Sequence, residues 1–163
     1  MKRMSSLTYH FGVKLRFYPS SEQKKIIKLN YDAQRFVYNS YVGRNRSNYH
    51  AKHYLAVRQY QTMPFAFSIL NNYETKLAEE VVANNELLAK PRNIRDAYNF
   101  LRVKEIDSLA LANAVQNYQK AWKMFRKVHS FGTPKFHKKS YRLSYQTNAQ
   151  YVKMLKWTFI LLA

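Results

Sequence analysis

The chain has 163 residues, room for one domain or two small ones, and 47% of them are hydrophobic, so a packed core is within reach and global disorder is excluded. Lys and Arg number 28 against 9 Asp and Glu, a formal net charge of +19, and so one-signed a surface needs a polyanion to neutralise it. Cysteine is absent, which excludes disulfides, thiolate catalysis and any Cys-bearing zinc site.

From the N-terminus, Leu7 to Tyr18 alternate as a strand, with Tyr9, Phe11, Val13, Leu15 and Phe17 on one face and His10, Lys14 and Arg16 on the other. Pro19 ends it, because proline cannot donate to a ladder. Ser20 and Gln23 have the spacing of a capping box, which opens a helix carrying Ile26, Leu29, Ala33, Phe36, Val37 and Tyr41 along one side. Lys24, Lys25, Lys28 and Arg35 fall mostly on the other side. Gly43 either ends that helix or is followed by further helix to about Tyr60. Thr62 and Pro64 suit a new start, and Leu70, Tyr73, Leu77, Val81 and Leu88 form the stripe of a second helix, interrupted at Pro91. A short helix is expected around Ile94–Leu101.

The clearest helix opens at Asp107 or Ser108, where Leu111, Ala114, Val115, Tyr118, Ala121, Trp122, Phe125 and Val128 keep one apolar face. Their spacing assigns Tyr118, Trp122 and Phe125 to the core rather than to a base-stacking platform. Gly132 and Pro134 close the segment. Tyr141, Leu143 and Tyr145 then alternate as a strand, and Val152 to Leu162 can supply another. The order is strand, helices, strands, and the first strand is expected to pair with the last ones.

Charge divides the chain into three zones. Residues 1–73 hold twelve basic and two acidic residues, residues 74–107 six and seven, and residues 108–163 ten and none. The middle zone reads as an ordinary solvated helical surface, with Glu79, Glu80 and Glu86 on one helix face. The flanks read as contact surfaces, meeting the electrostatic footprint of nucleic-acid binders. Gly132 and Pro134 set a turn that gathers Lys135, Lys138 and Lys139 to grip phosphates. The candidate contacts are Lys14, Arg16, Lys24, Lys28, Lys120, Lys123, Lys127, Lys135, Lys138, Lys139 and Arg142. Two-metal cleavage needs converging carboxylates. The nine acidic residues do not have that pattern, and His50 with His53 lack further ligands, so no catalytic residue, metal or cofactor is expected.

Three segments together resemble the N-terminal portion of the TnpB (OrfB) family of insertion-sequence RNA-guided nucleases, similar to type V CRISPR effectors. They are KLRFYPSSEQKKIIKLNYDAQRFVYN, Lys14 to Asn39; IDSLALANAVQNYQKAWKMFRK, Ile106 to Lys127; and GTPKFHKK, Gly132 to Lys139. The resemblance implies an α+β fold, a split wedge-type β-barrel of the oligonucleotide-binding kind with an inserted helical recognition lobe. Residues 1–19 would supply the first wedge strand, 20–130 the lobe and 131–163 the remaining wedge strands. It also implies contacts to structured guide RNA and its DNA target, and a helix-turn-helix label for the first helical region. The family's nuclease carboxylates and Cys-rich zinc element have no counterpart here. The expectation is therefore a truncated binding module that does not cut, with a separate nuclease chain as a candidate partner. A helix-turn-helix DNA-binding regulator is the alternative, weakened by the lack of a Gly-containing turn within Glu22–Tyr41. A ribosomal-type RNA-binding protein fits the charge but not the three segments. With no apolar run near the ~20 residues of a spanning helix and no apolar leader core, the expected location is the cytoplasm, away from membranes.

Overall fold

The computed structural model describes residues 18–60, 67–128, 130, 132–139, 152–155 and 158–161; nothing is said of the side chains of 58–60, 67–71, 152–155 and 158–161. The described chain is built on four α-helices: α1 (Ser21–Tyr60), α2 (Phe67–Ala89), α3 (Pro91–Ala97) and α4 (Ser108–Lys127), with a 3-10 turn at Asn99–Arg102 between the last two.

The capping box at the start of α1 forms in both directions. Ser20 N donates to Gln23 Oε1 at 3.0 Å, and Gln23 N donates to Ser20 Oγ at 3.3 Å. From there α1 runs for 40 residues, about 60 Å at 1.5 Å per residue. Gly43 does not end it. Buried residues follow it on the same helix, Asn48 and Ala51, and their packing outweighs the roughly 1 kcal/mol that an interior glycine costs.

The core sits where α1, α3, the 3-10 turn and α4 meet: Ala33, Val37, Tyr38, Tyr41 and Val42 of α1 pack with Ile94, Leu101, Ile106, Leu111, Ala114, Val115 and Tyr118. Asn30 pins the connection ahead of α4, donating to Glu105 O at 2.9 Å and accepting from Asp107 N at 2.8 Å. Asp107 caps α4 as the sequence predicts, its Oδ1 accepting from Leu109 N at 2.8 Å. The predicted Ile94–Leu101 helix is split in two, because Tyr98 is extended (φ −124°, ψ 111°).

α1 and α2 are joined through polar groups. Arg44 donates to Asn84 Oδ1 at 2.5 Å and to Tyr98 Oη at 2.8 Å, while Asn84 donates to Asn48 Oδ1 at 3.1 Å and Asn48 to Asn85 Oδ1 at 3.0 Å. Pairing of this kind is what allows Asn48 and Asn84 to be buried. The predicted α2 stripe is only partly inward: Val81 is buried, but Tyr73 is 54% exposed.

The expectation of an α+β split barrel is corrected. The described residues form a helical fold, and their one sheet is a two-stranded antiparallel hairpin, β1 (Val152–Leu155) with β2 (Thr158–Leu161), in register Val152↔Leu161 to Leu155↔Thr158. A barrel needs a closed set of strands. β1 pairs with its sequence neighbour, as a two-residue connection dictates. The expected strands at Leu7–Tyr18 and Tyr141–Tyr145 lie outside the described residues, Tyr18 excepted, as do Thr62 and Pro64. Among the described residues no helix is long and apolar enough to cross a membrane.

Candidate nucleic-acid interface

After α4 the chain turns at Gly132 and Thr133, as expected, and the residues beyond, Pro134–Lys139, form a strap without regular secondary structure that is attached along α1. Gly132 stands at φ +67°, a left-handed conformation that glycine adopts without a Cβ penalty. Pro134, buried, presents its carbonyl to Arg46 Nη2 at 2.9 Å. The Phe136 ring lies under the Arg46 guanidinium, 5.1 Å from centroid to Cζ, and against Gly43, where an added Cβ would stand 3.6 Å from Phe136 Cε1. Asn39 then clasps the backbone of His137 from both sides: Asn39 Nδ2 donates to His137 O at 3.0 Å, and His137 N donates to Asn39 Oδ1 at 2.8 Å. The His137 ring stacks on Tyr38, with centroids 3.8 Å apart and planes within 7°.

These attachments use the backbone of the strap and the rings of Phe136 and His137. Lys135, Lys138 and Lys139 are left exposed. Desolvation where the ring stacks on Tyr38 lowers the His137 imidazole below its ordinary value. Burial likewise raises the phenols of Tyr38, Tyr41 and Tyr118 above the usual tyrosine value.

Beside the strap, α1 and α4 enclose a cleft of about 460 Å³. Tyr118, Trp122 and Phe125 line it from α4, Arg46, Tyr49 and His50 from α1, and Thr133 and Pro134 from the turn and strap. The aromatic stripe therefore divides. Tyr118 is core, 6% exposed and tilted against Tyr41, whereas Trp122 and Phe125 are half-buried and form the apolar wall of an open cleft. Trp122 Nε1 donates to Tyr118 Oη, and its ring meets Phe125 edge-on with centroids 5.6 Å apart. Lys123 and Arg126 stand next to Trp122 on an adjoining surface. Such a wall, apolar with a basic border, suits an unpaired base.

Of the basic residues singled out from the sequence, Lys120, Lys123 and Lys127 are exposed on α4 and Lys135, Lys138 and Lys139 on the strap. Lys24 and Lys28 are exposed in the first turns of α1. Lys14, Arg16 and Arg142 lie outside the described residues. Sequence reasoning missed Asn39 and Arg46, whose side chains hold the strap. Their only sequence signal was polar residues on the back of a helix, which points to solvent. Glu79, Glu80 and Glu86 are exposed on α2, with Ser47 Oγ donating to Glu80 at 3.3 Å. His50 and His53 both rest on the Tyr49 ring, 5.8 and 6.4 Å between centroids, and no group of three potential metal ligands occurs among the described residues.

Residues 8–53 match the family model of the OrfB IS605 helix-turn-helix domain. The described part of that match, from Tyr18 onward, lies almost wholly in α1, which passes through it without a turn. No curated protein and no solved structure matches the chain. The family-model match supports the first of the three resembling segments and reaches neither Ile106–Lys127 nor Gly132–Lys139, so what it identifies is an N-terminal region similar to that of the IS605 OrfB family.

Proposed function

We propose that this chain is a nucleic-acid-binding module that grips phosphates through the strap and the adjoining end of α4. The observation that carries the proposal is the strap itself. Side chains of α1 hold its backbone and rings, while its three lysines stay in solvent. A held backbone presents charge without the entropy cost of ordering it on binding. The helix-turn-helix match points to DNA as a target, and the TnpB resemblance adds structured RNA. The uninterrupted course of α1 favours phosphate gripping and base stacking over a recognition helix set off by a turn within Ser21–Tyr60.

Lys135, Lys138 and Lys139 changed together to Ala should leave the melting temperature nearly intact. Removing one phosphate-gripping lysine should lower the salt slope of binding by about one, and removing all three by about three. A triple variant that binds as the parent does at every salt concentration refutes the strap as the grip.

The proposal extends to chemistry: these residues bind without cutting. No acidic residue follows Asp107, and the carboxylates before it are spread over α1, α2, α3 and the connection ahead of α4. With Mg²⁺ and DNA, with or without a structured RNA, the expected result is a complex and intact strands. Cleavage abolished by changing Glu79, Glu80 or Glu86 would sink this part of the reading; a separate nuclease chain would then be superfluous.

A further inference from the structure

The middle of the chain, nearly balanced in sign along the sequence, is not balanced in space. Four of its five glutamates, Glu74, Glu79, Glu80 and Glu86, belong to α2, and Glu105 lies exposed in the connection ahead of α4, whereas Arg92 and Arg95 of α3 and Arg102 of the 3-10 turn converge on one open cleft of about 610 Å³, together with Ser108 at the start of α4. The cleft has one carboxylate, Asp96, which meets Arg92 Nε at 3.3 Å while the Arg92 side chain stays 85% exposed. Arg102 donates to the Asp96 backbone carbonyl, which fixes its guanidinium at the rim. Asp107 is turned inward as the helix cap and is 9% exposed. The Arg95 guanidinium has no hydrogen-bond or ion-pair partner among the described residues, and three planar guanidinium forks around one opening match phosphate geometry.

The position of this cleft matters as much as its charge. Ser108 lines it, while Gln119 and Arg126 line the cleft beside Trp122 at the other end of the same helix. At about 100° per residue, Ser108, Gln119 and Arg126 point within about 20° of one another, and 18 residues separate Ser108 from Arg126 by about 27 Å. All three are exposed. Both clefts therefore open along one edge of α4.

We infer that the arginine cleft is a second phosphate-binding site, filled by the backbone of the same nucleic acid that the strap grips. A duplex rises about 3.4 Å per base pair, so about 8 base pairs span the roughly 27 Å from Ser108 to Arg126 along α4. The inference rests on the nucleic-acid reading above and adds to it a second site.

The test compares four forms of the chain on a duplex of about 20 base pairs over roughly 50–200 mM salt: the parent, Arg92→Ala/Arg95→Ala/Arg102→Ala, the strap triple variant, and the two triples combined. The arginine triple should lower the salt slope by about two to three, and the combined variant should lower it by about the sum of the two. Arg95→Gln alone, which leaves both Asp96 contacts in place, should lower it by about one, so a folding defect in the triple does not decide the matter. An arginine triple and an Arg95→Gln variant that both keep the parental slope overturn the inference and leave the strap reading standing. A parent that binds no duplex at the low-salt end overturns both. Pyrophosphate binding that the arginine triple abolishes, with the duplex slope unchanged, assigns the cleft to a free nucleotide or phosphate instead and also overturns it.

Discussion

Asn39→Ala removes the clasp on the strap while leaving the core untouched. The side chain makes two hydrogen bonds to the His137 backbone, at 3.0 and 2.8 Å, both solvent-accessible. Exposed bonds belong in the lower part of the 0.5–1.5 kcal/mol range, so their joint loss weakens strap docking by about 1–2 kcal/mol. That multiplies the undocked population roughly 5–30-fold, with little effect on global unfolding. Trypsin reads this population directly, since cleavage after Lys135 requires the strap to leave α1. When opening is fast relative to cleavage, the rate follows the open fraction. Cleavage after Lys135 should therefore accelerate by about 5–30-fold, while cleavage after Lys120 in α4 keeps its parental rate. Asn39→Asp retains the acceptor for His137 N–H and loses the donor, so it should fall between the two. Equal cleavage of parent and Asn39→Ala at Lys135 would refute the idea that Asn39 holds the strap, and with it the preorganisation on which the proposed function depends.

Gly43→Ala should raise stability by about 0.5–1 kcal/mol, because it removes an interior helical glycine and the new methyl meets Phe136 at 3.6 Å, an ordinary contact; thermal melting checks this, and a lower midpoint would mean that the strap cannot accept the methyl. The depressed pKa of His137 has a defined sign: the unfolded imidazole takes its proton at higher pH than the folded one, so this contribution is complete above about pH 6.5 and is lost as pH falls toward the folded value. The melting midpoint of the parent should accordingly drop between neutral and mildly acidic pH by more than that of His137→Phe, which keeps a ring for Tyr38 and cannot titrate.

What the sequence determined by itself was governed within a few residues. The Ser20–Gln23 box and the Asp107 cap each depend on side chains no more than three positions from the backbone groups they meet, and both stand as read; the apolar face of α4 holds as far as Tyr118, beyond which Trp122 and Phe125 are only half-buried and Val128 is exposed. The net charge, and the exposure of the strap and α4 lysines, were legible for the same reason: lysine keeps its ammonium in water wherever the backbone goes. The tertiary structure decided the rest. Whether α1 stops at Gly43 depended on Asn48, Ala51 and Asn84, which find their burial only when α1 and α2 meet. The strap took its course along α1 because Asn39 and Arg46, 98 and 88 positions from their partners, offered hydrogen bonds that no local pattern records. Tyr118 and Trp122 share one stripe, yet α1 covers the first and leaves the second at a cleft edge. Arg92, Arg95 and Arg102 looked neutralised by neighbouring acids along the chain, and only the break at Tyr98 and the packing of α3 beside α4 turn them to one opening. Coulomb energy depends on separation in space, and sequence distance carries that separation only as far as a single helix extends.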